Sequence, residues 1–252
     1  MVVQRDELVK YCSDFFSQPH VKDYAPNGLQ VSGSTEINKI VSGVTACQEL
    51  LDRAVAENAD LVVVHHGFFW KGEDPCIVGM QYKRIKTLLA NEINLLAYHL
   101  PLDCNKDLGN NVMLAKELDF TVDGVHSVDG MPLLFSGHLK EPMFCADFSE
   151  LLNNKLQRAP TVVGDTDKKI QTIAWCTGAA QDYIFDAVQL GVDAYLSGEI
   201  SERTTHFARE NAITYFGCGH HATERYGVRA FGEHLAKQFA IEHLFIDIDN
   251  PV

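Results

Sequence analysis

No two cysteines of this chain stand in a C-x-x-C arrangement, and the seven present, at 12, 47, 76, 104, 145, 176 and 218, are scattered and odd in number. A disulfide framework or a cysteine-bound zinc ribbon finds no support in that pattern, which fits a reducing compartment. Long apolar runs are missing too, so nothing reaches the roughly 20 residues a membrane helix needs. Met1 to Phe16 carries Leu8, Val9, Cys12, Phe15 and Phe16 at helical spacing among charges, without the apolar core of a signal peptide. A cytoplasmic protein with no membrane partner is the expectation. Basic side chains are scarce, 21 against 34 acidic ones, for a net charge of −13. Nucleic acids and anionic membranes both require a cationic face, which disfavours them as partners. The G-x-S-x-G, G-x-x-x-x-G-K-[ST] and Ser-His-Asp signatures are absent, leaving serine nucleophiles and P-loop phosphate transfer unsupported. No low-complexity linker interrupts the chain.

What remains is ordinary globular chemistry: 252 residues, 46% hydrophobic and 22% charged, enough for one large core or two moderate ones. The clearest feature is Leu61-Val62-Val63-Val64-His65-His66-Gly67. Its apolar, β-branched run reads as a strand buried on both faces. Neighbouring strand residues point to opposite faces, so two adjacent histidines share a site only where the strand ends. Gly67 permits the turn that ends it. A metal site is one reading of this pair, and polar decoration of a strand end is the other.

Around that strand the pattern alternates. Asp23 to Val31 holds a Pro-Asn-Gly turn leading into a strand at Leu29. Ile37 to Val44 reads as a buried strand, and Thr45 with Gln48 as a capping box opening a helix with Leu50, Leu51, Ala54 and Val55 inward. The next strand follows at once, making a strand–helix–strand unit with parallel strands. A helix over 81–90, a strand over 93–98 ending at His99, the run Leu100-Pro101-Leu102-Asp103 and a helix over 110–118 complete this half.

The later chain repeats the plan. Setting residue n against n+133 aligns Gln48 with Gln181, Ala54 with Ala187, Val55 with Val188 and Asp60 with Asp193. His65-His66 then falls on Gly198-Glu199. The parts that follow also correspond, with a one-residue shift, and lead to Gly217 through Glu224 and a helix over 225–237. His99 and Asp103 are four apart, as are His220 and Glu224. An internal duplication follows, and with it an α/β fold of two related subdomains. The first spans 1–125 with the His-His and His-x-x-x-Asp motifs. The second spans 126–252 with the His-His-x-x-Glu motif, and its end, an alternating strand over 241–249, can return to the first.

Ligands of open α/β sheets gather at the carboxyl ends of the strands, where all three motifs lie. Imidazoles with carboxylates suit zinc, iron, manganese, nickel or cobalt better than calcium or magnesium. With at least five groups available, two ions about 3.5–4 Å apart fit the composition. In that assignment His65 and His66 serve different ions, Asp103 and Glu224 bridge or terminate, and His220 completes the second ion. His99 is a further ligand, an orienting partner or a catalytic proton carrier; His221 is structural. Asp103 as a helix cap and Glu224 as a first-turn acid favoured by the helix dipole are the plainer alternatives. Lys71, Arg225 and the Gly178 turn can each meet an anion, or else be solvated charge and a simple cap. A metal-bridged water has its pKa lowered towards neutrality and can attack carbon or phosphorus.

Four stretches together resemble a known family: Asp23 to Val31, Val64 to Gly72, Tyr98 to Asp103 and Gly219 to Arg225. In this order, and over essentially the whole chain, they are similar to the GTP cyclohydrolase I type 2 homolog family, also called YbgI-like or NIF-three-like. The resemblance implies a dinuclear site whose ligands match His65, His66, Asp103, His220 and Glu224. It also implies a toroidal homohexamer with its metal sites facing an inner cavity. Some longer relatives carry an extra middle domain, for which the segment 119–169 is too short. GTP cyclohydrolase activity is attributed to some members, and action on damaged nucleotides is suggested for close relatives. The expected function is a metal-dependent hydrolase of a small molecule such as a nucleotide or related heterocycle. A non-catalytic metal-storage, metal-insertion or scaffold protein in ring form is the alternative.

Overall fold

A computed structural model describes residues 2–252 and divides the chain into two compact units, 1–109 with 227–249, and 110–226 with 250–252. In chain order the first unit opens with β1 (Val3–Gln4), α1 (Arg5–Phe15), β2 (Gly28–Val31), β3 (Glu36–Ile37) and β4 (Lys39–Thr45). It continues through α2 (Gln48–Ala56), β5 (Leu61–His66), α3 (Gly79–Ala90), β6 (Asn94–Ala97) and the short α4 (Leu100–Asp103). The second unit holds α5 (Asn110–Glu117), β7 (Phe120–Val128), β8 (Met131–Phe144), α6 (Cys145–Leu156), β9 (Thr161–Val163) and β10 (Lys169–Cys176). After these come α7 (Ile184–Gln189), β11 (Ala194–Ser197), α8 (Glu202–Glu210), β12 (Thr214–Gly217) and α9 (His220–Phe239). From Gly227 onward α9 belongs to the first unit, as does β13 (Glu242–Phe245).

The first sheet has the order β13-β4-β5-β6-β2, with β2 antiparallel and the rest parallel. Strand β5 is apolar up to its two terminal histidines because both of its faces are covered. Leu61 and Val63 pack with Leu8, Ile40, Leu96 and Phe231. Val62 and Val64 pack with Val41, Leu50, Leu88 and Leu95 on the opposite side. The second sheet has the order β7-β8-β10-β11-β12-β9, with parallel strands β10, β11 and β12 at its centre. Trp175, Leu196 and Phe216 share one face with Phe148, while Ala174, Tyr195 and Tyr215 share the other.

Each unit therefore has three parallel strands closed by one antiparallel strand, β4-β5-β6-β2 and β10-β11-β12-β9. The fold is α/β, and the 133-residue offset lays β5 on β11. The partner of the first strand differs: parallel β13 lies beside β4, and the antiparallel β7–β8 ribbon beside β10. The units divide at 109/110, just before α5, where the sequence reading divides them after 125.

Three local expectations change. Thr45 closes β4 and Cys47 takes the N-cap of α2 without a side-chain bond, so no capping box forms there. Helix α9 starts at His220 and not near residue 225, which puts His220 and Glu224 one helical turn apart. The terminal strand spans only Glu242–Phe245, because β4 offers four partners to it. None of the seven cysteines is in a disulfide. Among the described residues no helix is long and apolar enough to cross a membrane.

Candidate metal centre

In the first unit the end of β5 brings His65 and His66 together. Their ring centroids are 4.5 Å apart although their Cβ atoms start on opposite faces. The turn at Gly67 makes this possible, since a Cβ there would sit 2.2 Å from Gln30 Oε1 and 2.6 Å from Ala97 Cβ. Gln30 accepts the Phe68 N–H at 2.7 Å and donates through Nε2 to the Phe68 and Pro26 carbonyls. Two strands and one side chain therefore pin the turn.

His99 caps α4, and Asp103 closes that helix four residues later, the spacing that stacks side chains on one face. One ligand atom from each of His65, His66 and His99 lies within 4.8 Å of the others. His65 Nε2 stands 3.6 Å from Asp103 Oδ2. His65, Asp103 and His99 are all buried.

Each ring in this cluster is held from behind. His65 donates from Nδ1 to the Tyr98 carbonyl at 3.0 Å, and His99 from Nδ1 to Asp23 Oδ1 at 2.9 Å. His66 Nδ1 and Thr45 Oγ1 share a hydrogen bond of 3.0 Å. A carbonyl or carboxylate only accepts, so the neutral tautomer of His65 and of His99 carries its proton on Nδ1 and its lone pair on Nε2. Metal-binding histidines are oriented by such partners.

Asp23 gathers further donors: the N–H groups of Tyr24, Ala25 and Leu100, and the Asn27 amide. Burial works to raise its pKa, but the hydrogen bonds from His99 and Asn27 outweigh it and pull the carboxyl down to about 2. Asn27 Oδ1 in turn accepts the His99 N–H at 2.7 Å. The neighbouring Cys104 thiol is pushed up to about 12 by burial and by Asp103 and Asp23; it is no nucleophile at neutral pH.

In the second unit the first turn of α9 sets His220 Nε2 3.0 Å from Glu224 Oε2. His220 Nδ1 donates to Glu199 Oε1 at 2.7 Å. Burial works to lower the imidazole pKa, but Glu224 and Glu199 together hold it up at about 9. A cation arriving here must therefore displace a proton. Glu224 is only 3% exposed. The loop after β10 presses against it: a Cβ on Gly178, where φ is +70°, would lie 2.0 Å from Glu224 Oε1. The Gly178 N–H is taken by Thr223 Oγ1 and its carbonyl by the N–H groups of Gly198 and Glu199. This turn is a seat for the glutamate, and its amide is not offered to an anion.

Thus the first unit brings together His65, His66, His99 and Asp103, and the second His220 and Glu224. His221 is buried, with its N–H on the Val252 carbonyl. Arg225 donates to the Leu156 carbonyl and lies over the Tyr226 ring, while Lys71 is exposed. The residues missed in the sequence are the orienting ones, Thr45, Asp23, Asn27 and Glu199. Glu199 had a signal, since it aligns with His66 in the repeat. Asp23 and Asn27 had only their place in the Pro-Asn-Gly motif, whose role is now visible: Asp23 and Asn27 hold His99, and Gln30 holds the turn after His66.

Comparison with known proteins gives the family and the fold. A family model described as Duf34/NIF3 (NGG1p interacting factor 3) matches residues 3–251. A Pseudomonas aeruginosa protein called GTP cyclohydrolase 1 type 2 homolog is 54% identical over 252 residues, covering all of both chains. A solved structure described as protein ybgI, unknown function, has a TM-score of 0.95 at 47% identity and covers 99% of this chain and 100% of that one. A Thermus thermophilus protein has a TM-score of 0.86 at 30% identity, with the same coverage. The chain belongs to the Duf34/NIF3 (NGG1p interacting factor 3) family.

Proposed function

We propose that this protein holds two divalent metal ions and hydrolyses a small molecule, a nucleotide or related heterocycle. His65, His66, Asp103, His220 and Glu224 would hold the ions. Zinc, iron, manganese, nickel and cobalt all suit this donor set. The observation that carries the reading is the fixed orientation of the rings: His65, His99 and His220 each turn Nδ1 to a carbonyl or carboxylate oxygen. That arrangement leaves Nε2 as the nitrogen for a cation, as in oriented metal ligands. When bound, such ions supply Lewis acidity and lower the pKa of water.

The protein's own residues divide the remaining work. Asp103 and Glu224 each carry negative charge into buried surroundings, a cost that a bound cation would offset. His99, held by Asp23 and Asn27, keeps Nε2 able to take or return a proton beside the reacting bond, as a general acid or base does. Trp70 packs edge-on to His99 at 4.9 Å and limits how far that ring can turn. The name of the Pseudomonas aeruginosa relative, GTP cyclohydrolase 1 type 2 homolog, supports a nucleotide heterocycle as the substrate class. A toroidal homohexamer and a cytoplasmic location belong to the same reading. Light scattering is expected to give six copies of the 28.1 kDa chain.

Metal analysis of protein purified without chelator or nickel affinity resin tests the centre. Two ions per chain are expected, with none retained by His65→Ala. Reloaded protein is then screened for turnover of nucleotides and cyclic amides. Two bound ions with no turnover would replace the enzyme by a metal-holding protein, and no bound ion would end the proposal. Thr45→Val removes only the partner of His66 and is expected to weaken metal binding by about 10–100-fold, read by chelator competition.

A further inference from the structure

A cavity of about 310 Å³ opens immediately after the His65–His66 strand end, within the first unit and from one continuous stretch of chain, 67–84. Phe68, Trp70 and Met80 give it apolar walls, and Glu73, Asp74 and Arg84 supply its polar groups. Trp70 belongs to the cavity and to the histidine cluster at once, its ring 5.8 Å from His66 and 4.9 Å from His99. A molecule stacked in the cavity therefore touches the indole that packs on the two histidines. Arg84 adds a buried Nε without a hydrogen-bond partner among the described residues, a donor that waits for an acceptor.

The charges decide what fits. Two carboxylates face one guanidinium, so the cavity repels a phosphate. Flat apolar walls with both acceptors and a donor at the edge match a ring whose own edge carries N–H donors and a carbonyl or ring-nitrogen acceptor. Resting on the function proposed above, we propose that this cavity receives the heterocyclic base of the substrate. The ring stacks on Trp70, its N–H groups meet Glu73 and Asp74, its acceptor meets Arg84, and any phosphate stays outside.

Fluorescence reads this directly, because the chain has two tryptophans and Trp175 is fully buried. The full metal-loaded protein is titrated with guanosine, adenosine, ribose 5-phosphate and inorganic phosphate. Saturable quenching by at least one nucleoside, and none by the two phosphates, is expected. In calorimetry Trp70→Ala should weaken that nucleoside about tenfold, the scale of one lost base–aromatic stack. Met80→Asp, at a position 64% exposed, should weaken it comparably by replacing an apolar wall with a hydrated charge that the stacked ring would have to desolvate, while metal content stays at the wild-type value. Full metal occupancy with no nucleoside binding overturns the cavity assignment and spares the metal reading, as does equal binding of ribose 5-phosphate or unchanged affinity in Met80→Asp. Nucleoside binding to a wild-type chain that takes up no metal supports the cavity and sinks the metal reading.

Discussion

Replacing Gly178 by alanine is expected to disable metal binding as thoroughly as removing Glu224, without unfolding the protein. The new Cβ would stand 2.0 Å from Glu224 Oε1, 3.0 Å from its Cδ and 3.2 Å from His220 Nε2. No pair of atoms tolerates the first distance, so something moves. What moves is the tip of a flexible side chain and not backbone, which makes the shift inexpensive for the fold. The cost that remains is the left-handed backbone, φ +70°, at about 1–2 kcal/mol. Glu224 is swung off its seat, and His220 loses the carboxylate beside its Nε2. The metal affinity is expected to fall by at least the roughly hundredfold that losing an outer-shell partner can cost. Chelator competition on Gly178→Ala and Glu224→Gln, with circular dichroism to confirm folding, checks this. A folded Gly178→Ala protein with wild-type affinity would remove Glu224 from the ligand set.

The second large effect concerns Asp23. Its folded pKa of about 2 lies below the unfolded value of 3.8, and its side chain is 4% exposed. A depressed carboxyl contributes stability that is fully present above the unfolded pKa and is lost as pH falls through the folded one. At 1.36 kcal/mol per unit, the contribution at pH 7 is about 2 kcal/mol. Asp23→Asn is therefore expected to lower the unfolding free energy by about that amount at pH 7. The gap should close between pH 4 and pH 2, where wild type gains the proton. Denaturant titrations of metal-free protein at pH 7 and pH 3 measure it. An equal deficit at both values would mean that shape, and not charge, is what the asparagine lost.

Asp23 also bears on how much of the site the sequence carried. Asp103 and Glu224 were readable because helices repeat every 3.6 residues: a carboxylate four positions after a histidine shares its face. His65 and His66 were readable because a buried run of valines has to end somewhere, and imidazoles ended it. Asp23 sits 76 residues from His99, in a loop without periodicity, and no spacing rule connects the two. Glu199 and His220 are 21 apart in a similar way, joined by a hydrogen bond that only the sheet's geometry creates. Thr45 was misread because a threonine three residues before a glutamine looks like a helix cap. Strand pairing carried it to His66, opposite it in the ladder between β4 and β5.

Local order thus lies in the amino-acid sequence alone: the alternation of strands and helices, their repetition after 133 residues, and the residue types able to hold a cation. These follow from patterns with a short period, which neighbours along the chain express by themselves. Tertiary structure alone decided which nitrogen of His65, His99 and His220 is tied to a neighbouring oxygen, and why a side chain at Gly67 or Gly178 would press on Gln30 or Glu224. It also decided that the loop after the two histidines encloses a cavity. Each of those depends on atoms from distant segments meeting within hydrogen-bond or contact distance, and no periodicity along the chain records such a meeting.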